Sequence, residues 1–172
     1  ADIPFEIMVS DANESYPDGL SYGETAIHIA RNKALAVKNN QDPSNIIIAA
    51  DTIVICDKDI IGKPIDKEDA VNIIRKLSGK THEVVTGVFI CDAEKEISFA
   101  ETTEVTFHEL TNSQIEYYVD CYKPYDKAGG YAIQEWIGVV GIKSIEGDFY
   151  NVMGLPVSKL VQKIKQLGLL KG

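Results

Sequence analysis

An α/β domain with a mixed central sheet flanked by helices is what this sequence predicts. Three observations carry the prediction. Segments with helical spacing of apolar residues alternate along the chain with β-rich runs. Two of those runs meet across a short polar turn, the mark of a hairpin. The chain has 172 residues, 45% of them hydrophobic and 25% charged. That is enough for one domain whose core needs no disulfide or metal.

The elements follow in order. Phe5, Ile7 and Val9 alternate and predict a short strand. Pro17, Asp18 and Gly19 mark a turn in the acidic loop that follows. Ser21 and Glu24 form a capping box, opening a helix whose face is Ala26, Ile29, Ala30, Ala34 and Val37. Residues 39–44 are a polar break containing Pro43. Residues 46–56, IIIAADTIVIC, read as a strand buried on both faces, interrupted by Asp51 and Thr52. A turn at 57–59 leads to a short returning strand at Ile60 and Ile61. Asp66 caps a second helix with Ala70, Ile73, Ile74 and Leu77 on one face, and Gly79 sits where a C-terminal glycine belongs.

Residues 82–91 and 97–108 predict two antiparallel strands around a polar turn. Thr111 and Gln114 open a third helix running to about Cys121. A loop with Pro124 and a glycine pair then leads to two expected strands, 131–134 and 139–145. Pro156 suits the first turn of the last helix, in which Val157, Leu160, Val161, Ile164 and Leu167 share a face. Gly168 ends it.

Composition narrows the function. Seventeen basic against 26 acidic residues leave a formal charge of −9. That argues against a binder of nucleic acid polymers, which needs a basic face for phosphates. A single nucleotide met by a few lysines and a cation remains compatible with it. Cys56, Cys91 and Cys121 show neither CxxC spacing nor a histidine cluster, so free thiols in a reducing compartment are expected. No apolar run approaches the roughly 18 residues of a membrane span.

Few residues stand out for chemistry. A carboxylate in the run around Asp51 is costly to bury unless paired or bound to metal. Asp51 is therefore either a strand end facing solvent or a general base or metal ligand. Lys63, between Gly62 and Pro64, is a constrained lysine that can meet a phosphate, although a solvated turn residue has the same pattern. Lys33 reads by spacing as a solvated helix lysine. Glu14 lies in an acidic loop of the kind that supplies Mg²⁺ with a carboxylate beside substrate phosphates. His28, His82 and His108 lack ligand spacing, and His82 reads as structural. No GxSxG elbow and no GxGxxG turn is present.

Taken together, ordered motifs say more than any of these alone. Ala50-Asp51-Thr52, Gly62-Lys63-Pro64, Leu77-Ser78-Gly79-Lys80-Thr81-His82 and Thr86-Gly87 precede two longer runs. These are DKAGGYAIQ, starting at Asp126, and GDFYNVMGLP, starting at Gly147. Across essentially its whole length the sequence resembles the Maf family of septum-formation-inhibitor-like nucleoside triphosphate pyrophosphatases.

The resemblance implies a fold related to the inosine triphosphate pyrophosphatases, with a cleft between two lobes. It implies hydrolysis of a nucleoside triphosphate to the monophosphate and pyrophosphate with a divalent cation, Mg²⁺ or Mn²⁺. It also implies a cytoplasmic homodimer linked to nucleotide-pool cleaning and cell-division arrest. The family's catalytic proton acceptor falls on Asp51, its metal-associated acidic loop on Glu14, and its phosphate-side lysines on Lys33 and Lys63. Thr52 and Gln134 match the subgroup acting on dTTP and UTP. A glutamine amide offers a donor and an acceptor to a pyrimidine edge.

The family also opens with a strand and a Ser-x-Ser-Pro-Arg-Arg segment. The chain begins at Ala1 and contains no such segment, so residues 1–172 are expected to be a single domain lacking it. Two other functions stay open at this point. One is a nucleotide-binding regulator of septum formation without turnover. The other is a pyrophosphatase of purine or modified triphosphates.

Overall fold

The computed structural model describes residues 3–38, 41–42, 45–166 and 168. The expected break at 39–44 and the helix position Leu167 lie largely or wholly outside those residues. The first helix, α1 (Tyr22–Lys38), starts at the expected capping box: Glu24 accepts from the Ser21 backbone at 2.9 Å. Strand β1 (Ile47–Cys56) turns through Asp57 and Lys58, both at positive φ, into β2 (Asp59–Ile61). Two left-handed residues match the twist of a tight hairpin.

Asp66 caps α2 (Lys67–Leu77) by accepting from the Asp69 backbone. Strands β3 (Thr81–Cys91) and β4 (Glu96–Phe107) form the expected long hairpin. The capping box of Thr111 and Gln114 opens α3 (Asn112–Tyr122). A short 3-10 turn (Ala128–Gly130), α4 (Trp136–Gly141), β5 (Ile142–Glu146), α5 (Phe149–Val152) and α6 (Val157–Gln166) complete the order.

The sheet runs β2-β1-β3-β4-β5, and every pairing in it is antiparallel. A mixed sheet was expected because helices and strands alternate. The α2 crossover does link two strands of the same direction, β2 and β3. β1 lies between them, so no parallel pair becomes adjacent.

Four further expectations are corrected. Residues 3–10 form no strand; Phe5, Ile7 and Val9 are exposed, and among the described residues no strand pairs with them. Residues 131–134 are irregular, and the expected strand at 139–145 begins only at Ile142. Trp136, Ile137 and Val139 belong to α4 because Ile137 is drawn into the core at 0% exposure, a tertiary gain that outweighs the β preference of Ile and Val. Finally, β1 is well buried only over residues 53–56.

One face of the sheet carries α1, whose Ala26, Ala30 and Ala34 pack on Ile53, Val85 and Phe89. The opposite face carries two clusters. Val54, Cys56, Val84 and Val105 meet Ile74, Leu77, Ile115 and Tyr118 from α2 and α3. Val88, Ile90 and Phe99 meet Leu160 and Ile164 from α6. His82 sits inside the first of these zones, its Nε2 2.8 Å from the Tyr131 hydroxyl, and burial pushes its pKa down to about 4. The structural reading of His82 agrees with that position.

Gly87 explains how closely α1 can lie. A Cβ at residue 87 would stand 2.2 Å from backbone atoms of Ala26 and Ile27, so only glycine allows this contact. Gly87 pairs with Asp51 in the β1–β3 register, so the crossing point of α1 lies beside Asp51.

Candidate functional site

Asp51 lies in β1 upstream of the three residues that β2 covers, so the outer edge of the strand there has no described strand beyond it. Two helical turns after its contact with Gly87, α1 presents Lys33. The Lys33 ammonium donates to Asp51 Oδ1 at 2.5 Å and reaches Glu14 Oε1 at 2.9 Å. Lys63, on the loop after β2, donates to both Glu14 oxygens at 3.2 and 3.3 Å. Four residues from four separate segments thus form an alternating chain of charges, Asp51–Lys33–Glu14–Lys63. All four belong to the set expected from the sequence.

Enclosure falls along that chain, from 11% side-chain exposure at Asp51 to 50% at Lys63. The electrostatics follow it. Burial raises the Asp51 carboxyl above its ordinary range, and its bond to Lys33 offsets this only in part. Burial opposes the charge on Lys33 as well, but bonds to Asp51 and Glu14 outweigh it and raise its pKa. Glu14 is held below the usual carboxylate range, first by its bond to Lys33 and then, against some burial, by Lys63. The result is a firmly charged lysine beside a carboxylate that binds a proton more readily than usual.

A cleft of about 270 Å³ opens beside this chain. Lys33, Asp51 and Lys63 line one part of it, and Ala50, Thr52, Val54 and Val84 contribute from the sheet. Gln134, exposed on the irregular segment after Tyr131, stands on the wall, as do Met153 and Gly154. The segment holding Gln134 is brought over β1 by two glycine features. Gly129 donates its N–H to the Gly62 carbonyl at 3.2 Å, and a Cβ on it would meet Val54 at 2.9 Å. Its φ of 70 lies in the left-handed region that glycine adopts without the steric cost a side chain brings.

All the site residues expected from the sequence therefore gather at one place. Glu14 joins them through the two lysines rather than by lining the cleft. Reasoning from sequence assigned no part to Asp126, Lys127, Met153 or Gly154, which also line it. Their presence in the DKAGG and GDFYNVMGLP runs was the available signal. Thr86, of the Thr86-Gly87 motif, is fully buried and bonded to the Thr52 hydroxyl at 2.8 Å.

Among the described residues no group of three or more His, Cys, Asp or Glu side chains is placed to hold a metal ion. No described helix is long and apolar enough to cross a membrane.

A family model described as Maf-like protein matches residues 1–167. The chain is similar to a dTTP/UTP pyrophosphatase of Cytophaga hutchinsonii, 50% identical over 167 residues, covering 97% of this chain and 76% of that protein. It is 48% identical over 165 residues to a dTTP/UTP pyrophosphatase of Parabacteroides distasonis, covering 95% and 86% of the two. A third, from Porphyromonas gingivalis, is 46% identical over 170 residues, covering 97% and 85%.

Proposed function

The chain belongs to the Maf-like protein family, and from that premise we propose that it hydrolyses dTTP and UTP to the nucleoside monophosphate and pyrophosphate. The relatives named dTTP/UTP pyrophosphatase support a hydrolase of this kind. The observation that carries the reading is the Lys33 ammonium held between Asp51 and Glu14 on the wall of a cleft shared with Thr52 and Gln134.

In this reading a water attacks the α-phosphorus. The new P–O bond forms as the bond to the α,β-bridging oxygen breaks, and that electron pair leaves with pyrophosphate. Asp51 takes the proton of the water. Its raised pKa favours that role, because a carboxylate lifted toward the working pH is a better proton acceptor. Lys33 keeps Asp51 oriented and Lys63 stands nearer solvent, so both can neutralise charge that builds on the phosphates. Thr52 and Gln134 meet the base.

The donor set fits a hard divalent cation. Two carboxylates, Glu14 and Asp51, already converge on one positive group, the Lys33 ammonium. Mg²⁺ or Mn²⁺ needs only one or two carboxylates when substrate phosphates supply other oxygens. Glu14 and Asp51 would hold it. When bound, the cation polarises the phosphate and acidifies the attacking water. The reading extends to a cytoplasmic homodimer with two lobes about the cleft; light scattering on the purified protein checks the oligomer.

Pyrophosphate release from dTTP and UTP with Mg²⁺ or Mn²⁺ tests the function. Asp51→Asn is expected to lower turnover about 10²–10⁴-fold. Near-full turnover by that variant removes Asp51 from its role. Binding of dTTP without pyrophosphate release favours a regulator, and faster release from purine triphosphates favours a purine enzyme.

A further inference from the structure

We propose that Thr86 sets the hydroxyl polarity of Thr52, so that Thr52 meets the nucleobase as a hydrogen-bond acceptor and selects uracil and thymine over cytosine. The inference rests on the dTTP and UTP reading of the cleft, and it concerns a residue that touches no substrate.

Thr52 and Thr86 are register partners on β1 and β3, and their hydroxyl oxygens are 2.8 Å apart. The Thr86 hydroxyl also lies 3.2 Å from the backbone carbonyl of Asn151. A carbonyl can only accept, so Thr86 donates to Asn151. Each hydroxyl has one proton. The arrangement in which both contacts are hydrogen bonds is therefore Thr52 to Thr86 to Asn151. Thr86 is 0% exposed, as is Asn151, so no water competes for its proton. Asn151 is in turn fixed by donating its side-chain amide to Val84 and Thr103, both at 3.0 Å.

Thr52 thus spends its proton inward. Its remaining lone pairs are the ones available to the cleft that it lines. Gly154, also on the cleft wall, puts no side chain beside that oxygen; a Cβ there would lie 3.6 Å from it, in ordinary contact. An acceptor at this point bonds the imide N3–H of uracil or thymine. It opposes the unprotonated N3 of cytosine lone pair to lone pair. Without Thr86 the Thr52 hydroxyl is free to turn and donate to that N3, and the discrimination is lost.

The test measures kcat/KM for UTP, dTTP and CTP in the wild-type protein and in Thr86→Val, Thr86→Ala and Thr86→Ser. The wild type is expected to prefer UTP and dTTP. Thr86→Val removes the hydroxyl at nearly constant volume and should lower the UTP-to-CTP ratio about 3- to 10-fold, the worth of one neutral hydrogen bond. Thr86→Ser restores the donor and should keep the ratio. Thr86→Ala gives the same readout if the valine protein does not fold. In a Thr52→Val background, Thr86→Val should leave the ratio unchanged. A loss common to all three substrates, with the ratio intact, overturns the proposal and leaves the enzyme reading standing. A wild type that releases no pyrophosphate from UTP or dTTP overturns both.

Discussion

Asp51 shows the conflict between function and folding within one side chain. Its pKa is raised chiefly by burial, so the ionised form is the one that the fold disfavours. For such a group the stabilising contribution is complete below the ordinary aspartate range and is lost as pH rises through the raised folded pKa. At neutral pH the charge is therefore a net cost to the native state. Asp51→Asn should abolish most turnover and raise Tm at pH 7 to 8, as scanning calorimetry can read. A lower Tm would mean that Lys33 more than repays the burial. The same pKa places the acid limb of the rate profile above the usual aspartate range, with activity falling as the carboxylate is protonated.

His82 carries the opposite sign. Its folded pKa of about 4 lies below the ordinary histidine value of 6.5. Stability from keeping it neutral is present above 6.5 and is lost as pH falls from 6.5 to 4. The full loss is on the order of 3 kcal/mol. His82→Gln should fold less stably at neutral pH yet lose less Tm on acidification across that window. An unchanged slope would show that other groups set the acid sensitivity.

The elements place these residues, and their positions are themselves testable. α1 reaches Asp51 because Gly87 lets its backbone lie directly on β3. Gly87→Ala forces the helix outward. It should destabilise the protein by about 3 kcal/mol or more. Where it still folds, it should lose turnover, since Lys33 moves with the helix. Asp66→Ala removes only the N-cap bond to Asp69. It should cost about 1 kcal/mol and a Tm drop of about 2–4 °C, with substrate preference unchanged. These element boundaries were legible beforehand because caps and apolar spacing are written in neighbouring residues. α4 was not. Its β-branched composition argues for a strand, and only the burial of Ile137 against the core decides for a helix.

In the whole molecule, the site joins four segments, so a nucleotide that bridges them should stabilise the native state as a unit. At 100 times its Kd, a ligand of the folded form adds about 2.7 kcal/mol, which corresponds to roughly 5–10 °C in Tm for a chain of this size. A non-hydrolysable α,β-imido dTTP analogue with Mg²⁺ should reach that shift in the wild type. It should fall well short of it in Lys63→Ala, whose loss removes a phosphate partner. Equal shifts in both proteins would take Lys63 out of the binding site.

By itself the sequence determined the starts of α1, α2, α3 and α6, the long hairpin, the family and part of the set of residues that gather at the cleft. Motif order was enough for these, since each motif is a few adjacent residues with its own turn, cap or charge. The tertiary structure decided how those residues act on one another. Lys33 meets Asp51 across 18 residues, Lys63 meets Glu14 across 49, and Thr86 meets Asn151 across 65. Sheet register and the crossing of α1 set those meetings. A charge on a helix face or a threonine in a strand takes its chemical state from the partner the fold brings to it. That partner is remote in sequence, so neither the raised carboxyl of Asp51 nor the polarity of the Thr52 hydroxyl could be read before the strands were paired.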